Sequence, residues 1–213
     1  MIPTEKSQTP LTPRVGTRRS WKQALRMLMV VLGFAGSAVA ESGTVDFAGR
    51  QLPQEVEAAG TRLVLYSTAV MRVGLIFRGY AASLYLPPGS SGADALGDIP
   101  KRLNIHYLHR TSGDMMIDVA ERTMADNLTP SELAAVRERI DRLNTFKRDM
   151  PKGANGSLTY VPGKGTTFAV NEEPFLTIEG ADFARAYFGV WLAEKPSNDS
   201  VKRQLLTPRK REP

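Results

Sequence analysis

The sequence predicts an α+β fold in which helices pack on one face of a mostly antiparallel sheet. Three observations point to this class. The chain of 213 residues is 42% hydrophobic and 23% charged, which suits one soluble domain. Several strand patterns come first in the folded part, and two helices, a hairpin and two further helices follow. Strands and helices do not alternate regularly, as they would around a parallel sheet.

The first 40 residues have the three parts of an export signal, namely a basic stretch, an apolar run and small residues at Ala38–Ala40. The apolar run from Leu28 is shorter than the roughly 20 residues that span a membrane. We therefore expect cleavage after Ala40 rather than an anchor. Arg18 and Arg19 also resemble a twin-arginine signal, but the residues after this pair favour the general secretory route.

The predicted organisation is a signal peptide at 1–40, one domain at 41–206 and a disordered basic tail at 207–213. The first 40 residues carry six basic and one acidic side chain, so cleavage lowers the formal charge from +6 to +1. A nearly neutral domain lacks the basic surface of a nucleic-acid-binding protein. The chain has no cysteine, which excludes disulfides and thiol chemistry. An exported protein without disulfides is expected in a bacterial periplasm.

The strand patterns occupy the beginning of the domain. β-Branched and aromatic residues at 44–53 and 61–71, interrupted by Gly49, predict a short hairpin region. The run "RVGLIFRGYAASLYL" predicts one continuous strand from Arg72 to Leu86. The segment "KRLNIHYLH" alternates in polarity and predicts the next strand.

Helical periodicity begins after Ser112, and a second helix begins where Thr129, Pro130 and Glu132 form a capping box. The segments "SLTYV" and "TTFAV" flank the turn "PGKG" and predict a β-hairpin. The segment "GADFARAYFGVWL" predicts a helix with a large apolar face. A short terminal helix follows it, with Asn198 near its cap.

On a regular strand the even-numbered side chains share a face, so Arg72, Arg78 and Tyr80 are expected to project together from an apolar surface. Guanidinium groups in such a place need partners. One interpretation is that they pair with nearby acids, for which the candidates are Asp118, Glu121 and Glu179. The other is that they anchor the anionic group of an apolar ligand.

Other chemistry has less support. His106 and His109 are three residues apart and point to opposite faces of a regular strand, so no metal site is predicted. No serine has the surroundings of a nucleophile elbow. Tyr80, Tyr85 and Tyr107 are candidate general acids, although tyrosines on strands usually pack with a hydrogen-bonded tip. Catalytic residues therefore stay unassigned, and no cofactor is predicted.

Four segments carry a resemblance to a known family. They are "VMRVGLIFRGYAASLYLP", "IHYLHRTSGDMM", "LTYVPGKGTTFAVN" and "IEGADFARAYFGVWLAEKPSNDSVKRQLL". Together they resemble the exported bacterial branch of the chalcone isomerase family, from about Arg62 to Leu206. The resemblance implies an open-faced β-sandwich, in which a layer of helices covers a large antiparallel sheet and a ligand cleft lies between them. Plant members of this family cyclise chalcones, a related plant branch binds fatty acids, and other members are non-catalytic.

The resemblance also implies which positions correspond to the enzymes' active site. The arginine that stabilises an anion matches Arg72, and a strand threonine is replaced by Tyr80. The helical tyrosine and asparagine fall near Ser131 and Glu138, and a late hydroxyl residue falls on Ala184. At most one of the expected polar contacts with substrate is thus retained.

These observations predict a periplasmic, non-catalytic protein that binds a small apolar ligand with an acidic head, such as a fatty acid, between sheet and helices. The candidate ligand-binding residues are Arg72, Arg78, Tyr80 and Tyr107. One alternative is an isomerase that acts on a chalcone-like enone, with Arg72 stabilising the enolate. Another is a structural envelope protein in which Arg72 and Arg78 are fully ion-paired and no cleft exists. We expect no nucleic-acid partner and no stable membrane anchor after cleavage of the signal.

Overall fold

A computed structural model describes residues 43–73 and 77–210. Within these ranges, the side chains of Val73 and Phe77 are not described. The predicted signal peptide lies outside the described residues. The predicted tail is described as far as residue 210, and the backbone N–H of Arg209 donates to the carbonyl oxygen of Tyr66 (2.8 Å). The remainder of the tail stays a prediction.

The described residues form an α+β fold with nine strands and four α-helices. The strands are β1 (Thr44–Phe47), β2 (Arg50–Pro53), β3 (Glu55–Ala58), β4 (Thr61–Val73), β5 (Phe77–Leu86), β6 (Lys101–Tyr107), β7 (Asn155–Val161), β8 (Gly165–Val170) and β9 (Glu173–Ile178). The helices are α1 (Gly113–Asn127), α2 (Pro130–Asn144), α3 (Ala181–Leu192) and α4 (Asp199–Leu206), and a short 3-10 helix spans Gly92–Leu96. None of the described helices is long and apolar enough to cross a membrane.

Strands β3 to β9 form one antiparallel sheet whose spatial order is the order along the chain. Strands β1 and β2 form a separate two-stranded sheet. This arrangement confirms the prediction of an antiparallel sheet covered by helices. The sequence pattern missed β3 and β9, which are short and contain acidic residues or proline.

Alternation along the central strands separates an apolar face from a mixed face. In β6 every second residue is buried, beginning with Lys101 and ending with Tyr107. The three apolar residues of this set join the main core together with Phe183 and Phe188 of α3 and with Ile140 of α2. We call this side of the sheet the helix-covered face, and the opposite side the outer face.

Both helix starts predicted from capping residues are confirmed. At Thr129 the hydroxyl group accepts from the backbone N–H of Glu132, and the Glu132 carboxylate accepts from the backbone N–H of Thr129 (2.9 Å). At Asn198 the side-chain oxygen accepts from the N–H of Val201 (3.0 Å). The helical periodicity after Ser112 rests on Met115, Met116, Val119, Ala120 and Met124, which predicts one apolar stripe. This prediction for α1 is only partly correct, because Met115 is 55% exposed.

The prediction of one strand from Arg72 to Leu86 is wrong. Strand β4 ends at Val73, β5 begins at Phe77, and the two strands are antiparallel neighbours. The boundary was not recognised in the sequence because the apolar run continues through it. Gly74 is the single turn-forming residue in the sequence between the two strands. The arginines at 72 and 78 therefore lie on different strands.

Candidate ligand-binding site

Two tyrosines predicted to contact ligand lie side by side under the helices. Tyr80 of β5 and Tyr107 of β6 are directly opposite each other in the antiparallel register. Met71 of β4 is opposite Tyr80 on its other side. The hydroxyl group of Tyr107 donates to Sδ of Met116 on α1 (3.1 Å). The structure thus brings phenols from two strands together with methionines from a third strand and a helix.

Helix α3 completes this group with two aromatic side chains. Tyr187 packs edge-on against Phe168 of β8, with ring centroids 5.1 Å apart. Trp191, one turn later, lies with its ring centroid 6.2 Å from that of Tyr187. Both residues belong to the apolar side predicted for this helix from its periodicity, and both pack against the main core. We call Met71, Tyr80, Tyr107, Met116, Tyr187 and Trp191 the tyrosine cluster.

Burial keeps the phenols of the tyrosine cluster protonated. It raises the pKa of Tyr80 to about 12, while the nearby Trp191 indole acts in the opposite sense. Burial also raises the pKa of Tyr187 to about 12. The pKa of Tyr107 is raised as well, chiefly by burial and further by its tyrosine neighbours. A neutral phenol is a hydrogen-bond donor, so the tyrosine cluster suits an acceptor group on a ligand.

The two predicted arginines lie at the end of the β4–β5 pair. Arg72 and Arg78 are directly opposite each other in the register, and both are exposed. Like charges in this position repel each other. Within residues 43–73 and 77–210, neither side chain forms a hydrogen bond or an ion pair. We call these two residues the arginine pair.

A β-bulge separates the arginine pair from the tyrosine cluster. Met71 is opposite Tyr80, whereas the next residue, Arg72, is opposite Arg78. Gly79 is therefore an extra residue on β5, which breaks the alternation between positions 78 and 80. The expectation that Arg72, Arg78 and Tyr80 share one face is wrong for this reason. The arginine pair lies at the rim, one step along the strands beyond Tyr80.

The ion pairs expected for these arginines do not form among the described residues. Glu121 instead binds Arg137 of α2 (2.8 Å) and the amide of Asn144 (2.8 Å). The backbone oxygen of Asp118 accepts a hydrogen bond from Nε of Arg122 (3.0 Å). The interpretation in which nearby acids saturate the arginine pair is therefore contradicted for the part of the chain that the structure describes.

Three of the positions that the resemblance matched to polar contacts of the enzymes do not contribute to the tyrosine cluster. Ser131 and Glu138 lie on the exposed surface of α2, and Ala184 is an apolar residue of the core. Sequence reasoning placed Tyr187 and Trp191 on the buried side of a helix without assigning them to the site, and it missed Met71 and Met116 as members of the site. Their type gave no functional signal, and only the register of β4 and the position of α1 bring them to the tyrosines.

Comparisons with known proteins agree with this architecture. Residues 44–207 match the model of the family described as chalcone isomerase-like. A solved structure of an Arabidopsis thaliana fatty-acid binding protein superposes with a TM-score of 0.56 at 11% identity. The match covers 76% of this chain and 95% of that chain, and at this identity it shows the fold alone. No curated protein matches the chain. Because the family model covers most of the sequence and the fold agrees with it, the chain belongs to the chalcone isomerase-like family.

Proposed function

We propose that the mature chain is an exported, periplasmic, non-catalytic protein that binds a fatty-acid-like carboxylate. The ligand's head group pairs with Arg72 and Arg78, and its alkyl chain enters between the sheet and helices α1 and α3. The observation that carries this proposal is the exposed arginine pair, without an acidic partner among the described residues, at the rim of the tyrosine cluster.

Charge and hydrogen bonding support a carboxylate at this rim. Guanidinium groups present donors in a planar fork that fits a carboxylate, and one anion between two arginines relieves their mutual repulsion. Tyr80, the cluster member next to the pair, remains protonated and is able to donate a hydrogen bond. An uncharged lipid leaves the repulsion in place, so the arrangement favours an acid.

The apolar part of the ligand is supported by the composition of the tyrosine cluster. Met71, Met116 and Trp191 are only half-buried, although they pack against the main core. Methionine side chains are flexible and fill irregular spaces, so they are able to move aside for an alkyl chain. The related fold of a plant fatty-acid binding protein is consistent with this class of ligand.

Mass spectrometry of co-purified lipids tests the proposal. We expect fatty acids in extracts of the wild-type chain purified from bacteria, and at least tenfold less in the double variant Arg72→Ala/Arg78→Ala. The matched control is Arg62→Ala, which removes an exposed arginine at the opposite end of β4. Equal amounts of fatty acid in all three proteins, or none in the wild type, would contradict the proposal.

The proposed location has its own test. When the full chain is expressed in a Gram-negative bacterium, the protein recovered from the periplasmic fraction should begin at Glu41. Intact-mass analysis of that fraction measures this directly. Protein that stays in the cytoplasm with its first 40 residues attached would exclude export by this segment.

A further inference from the structure

The outer face of the sheet carries a separate cleft beneath the β1–β2 hairpin. Its volume is ≈ 160 Å³, and it lies on the opposite side of the sheet from the tyrosine cluster. Phe47, Leu52 and Val56 supply apolar walls. The sheet contributes a floor in which Ala81 of β5 lies opposite His106 of β6.

Specific hydrogen bonds hold the hairpin over this cleft. Nη1 of Arg50 donates to Nδ1 of His106 (3.0 Å). The hydroxyl group of Tyr85, on the outer face of β5, donates to the carbonyl oxygen of Pro53 (3.0 Å). Hydrogen bonds at both ends of β2 thus fix the position of this strand over the sheet, so the fold itself forms the cleft.

Among the residues that the structure describes, none supplies a counter-ion for the positive charge of Arg50 in this cleft. Glu172 is the acidic residue that lines it, and Arg102 already binds both Glu172 oxygens (2.7 and 2.5 Å). Asp46, near Arg50 on the hairpin, accepts from the amide of Gln51 (2.6 Å). Arg50 is half-buried, and its hydrogen bond to His106 is to a neutral imidazole nitrogen, because a guanidinium only donates. A partly buried cation without a counter-ion is unfavourable until an anion binds.

The size and walls of the cleft define the rest of the ligand. An apolar cavity of about 150 Å³ holds one benzene molecule. The cleft therefore has room for one aromatic ring or a short branched alkyl group, but not for a long alkyl chain. We propose that this cleft is a second ligand site, which binds a small aromatic or branched aliphatic monocarboxylate with its anionic group on Arg50.

Titration of the full chain with sodium benzoate tests the second site, with NMR signals of Phe47 and Ala81 as local reporters. We expect saturable shifts at these residues. Benzyl alcohol, which has the ring without the charge, should bind at least tenfold more weakly, and inorganic phosphate, which has charge without the ring, should also bind at least tenfold more weakly. Equal affinity for either probe and benzoate would overturn the proposal.

Variants separate this site from the arginine pair. Arg50→Met should weaken benzoate binding at least tenfold, while Arg122→Met on α1 should change it less than twofold. Ala81→Leu fills the cleft floor, keeps Arg50 and should abolish binding. The Arg72→Ala/Arg78→Ala variant should bind benzoate as the wild type does, whatever its lipid content. Benzoate binding that survives Arg50→Met, or that is lost with the arginine pair instead, would contradict the inference.

Discussion

The hydrogen bond between Arg50 and His106 depends on the imidazole remaining neutral. Its Nδ1 accepts from Arg50 (3.0 Å) and also lies 3.1 Å from Oδ1 of Asn155. Burial, followed by the charge of Arg50, lowers the pKa of His106 below its usual 6.5. Protonation turns Nδ1 into a donor, which favours Asn155 and repels Arg50.

This arrangement predicts a loss of stability in mild acid. Because the pKa is lower in the folded state, the unfolded chain binds more protons below about pH 6.5, and the free energy of unfolding falls as pH decreases. Urea titrations at several pH values between 7.5 and 5 measure this slope. His106→Gln should show a shallower slope than wild type, and parallel curves would contradict this role for His106.

Lys101 is a charged residue within the main core, 1% exposed. Its Nζ donates to the carbonyl oxygen of Gly97 (2.6 Å) and lies over the rings of Tyr160 (4.9 Å) and Phe188 (5.4 Å). Burial lowers the pKa of Lys101 to about 8, although the nearby Asp98 opposes the shift. The carbonyl and ring contacts thus compensate only in part for lost hydration.

The lowered pKa predicts a stability difference that depends on pH. The lysine loses its proton near pH 10.5 in the unfolded chain but near pH 8 in the folded chain. Between these two values the unfolded chain binds more protons, so the free energy of unfolding rises with pH above about pH 8. Wild type should therefore gain stability relative to Lys101→Met between pH 8 and 9.5, as measured by urea unfolding. The control Lys164→Met, on an exposed turn, should not change the slope. A constant difference between wild type and Lys101→Met across this range would be evidence against a lowered pKa.

The two predicted arginines show how much of a residue's environment can be predicted from the sequence. Arg72 and Arg78 were predicted to need a partner, and the structure leaves both exposed and without one among the described residues. Their position relative to Tyr80 was not predictable, because it depends on the β-bulge at Gly79. Tyr107 was predicted as part of the site, and its place opposite Tyr80 follows from a register that the sequence does not specify.

At the scale of elements, the turn between β7 and β8 offers a sharp test of backbone geometry. Gly163 and Gly165 both have positive φ, 72° and 91°. A Cβ on Gly163 would meet nothing within 4 Å, whereas a Cβ on Gly165 would lie 2.4 Å from the carbonyl oxygen of Ile178. The two glycines therefore share a conformational requirement but differ in the space around them.

Alanine at these two glycines should have unequal effects. Gly163→Ala should cost about 1 kcal/mol of unfolding free energy, from the left-handed conformation alone. Gly165→Ala should cost about 3 kcal/mol or more, because β9 must also move away from β8. Thermal and urea unfolding of the two variants measure the difference. Equal destabilisation would contradict this prediction, because it would mean that β9 moves away from β8 without a loss of unfolding free energy.

Elements were predictable where local rules are strong. The capping box at Thr129, the side-chain cap at Asn198 and the "PGKG" turn predicted α2, α4 and the β7–β8 hairpin. Strands β3 and β9 were missed because their stability comes from pairing with β4 and β8 rather than from their own composition. The β4–β5 boundary was missed because an apolar run passes through it.

For the whole molecule, the sheet separates two candidate sites of different chemistry. The helix-covered face holds the tyrosine cluster with the arginine pair at its rim, and the outer face holds the smaller cleft with Arg50. The family resemblance predicted the first and gave no indication of the second. The second depends on the hairpin folding back over β5 and β6, which no local pattern in the sequence encodes.

A crystal structure of the chain with dodecanoate tests the central claim most directly. The account predicts that the carboxylate lies about 3 Å from guanidinium nitrogens of Arg72 or Arg78. The alkyl chain should lie between the sheet and helices α1 and α3, in contact with Met71 and Met116. A carboxylate bound elsewhere, or an alkyl chain on the outer face, would contradict it.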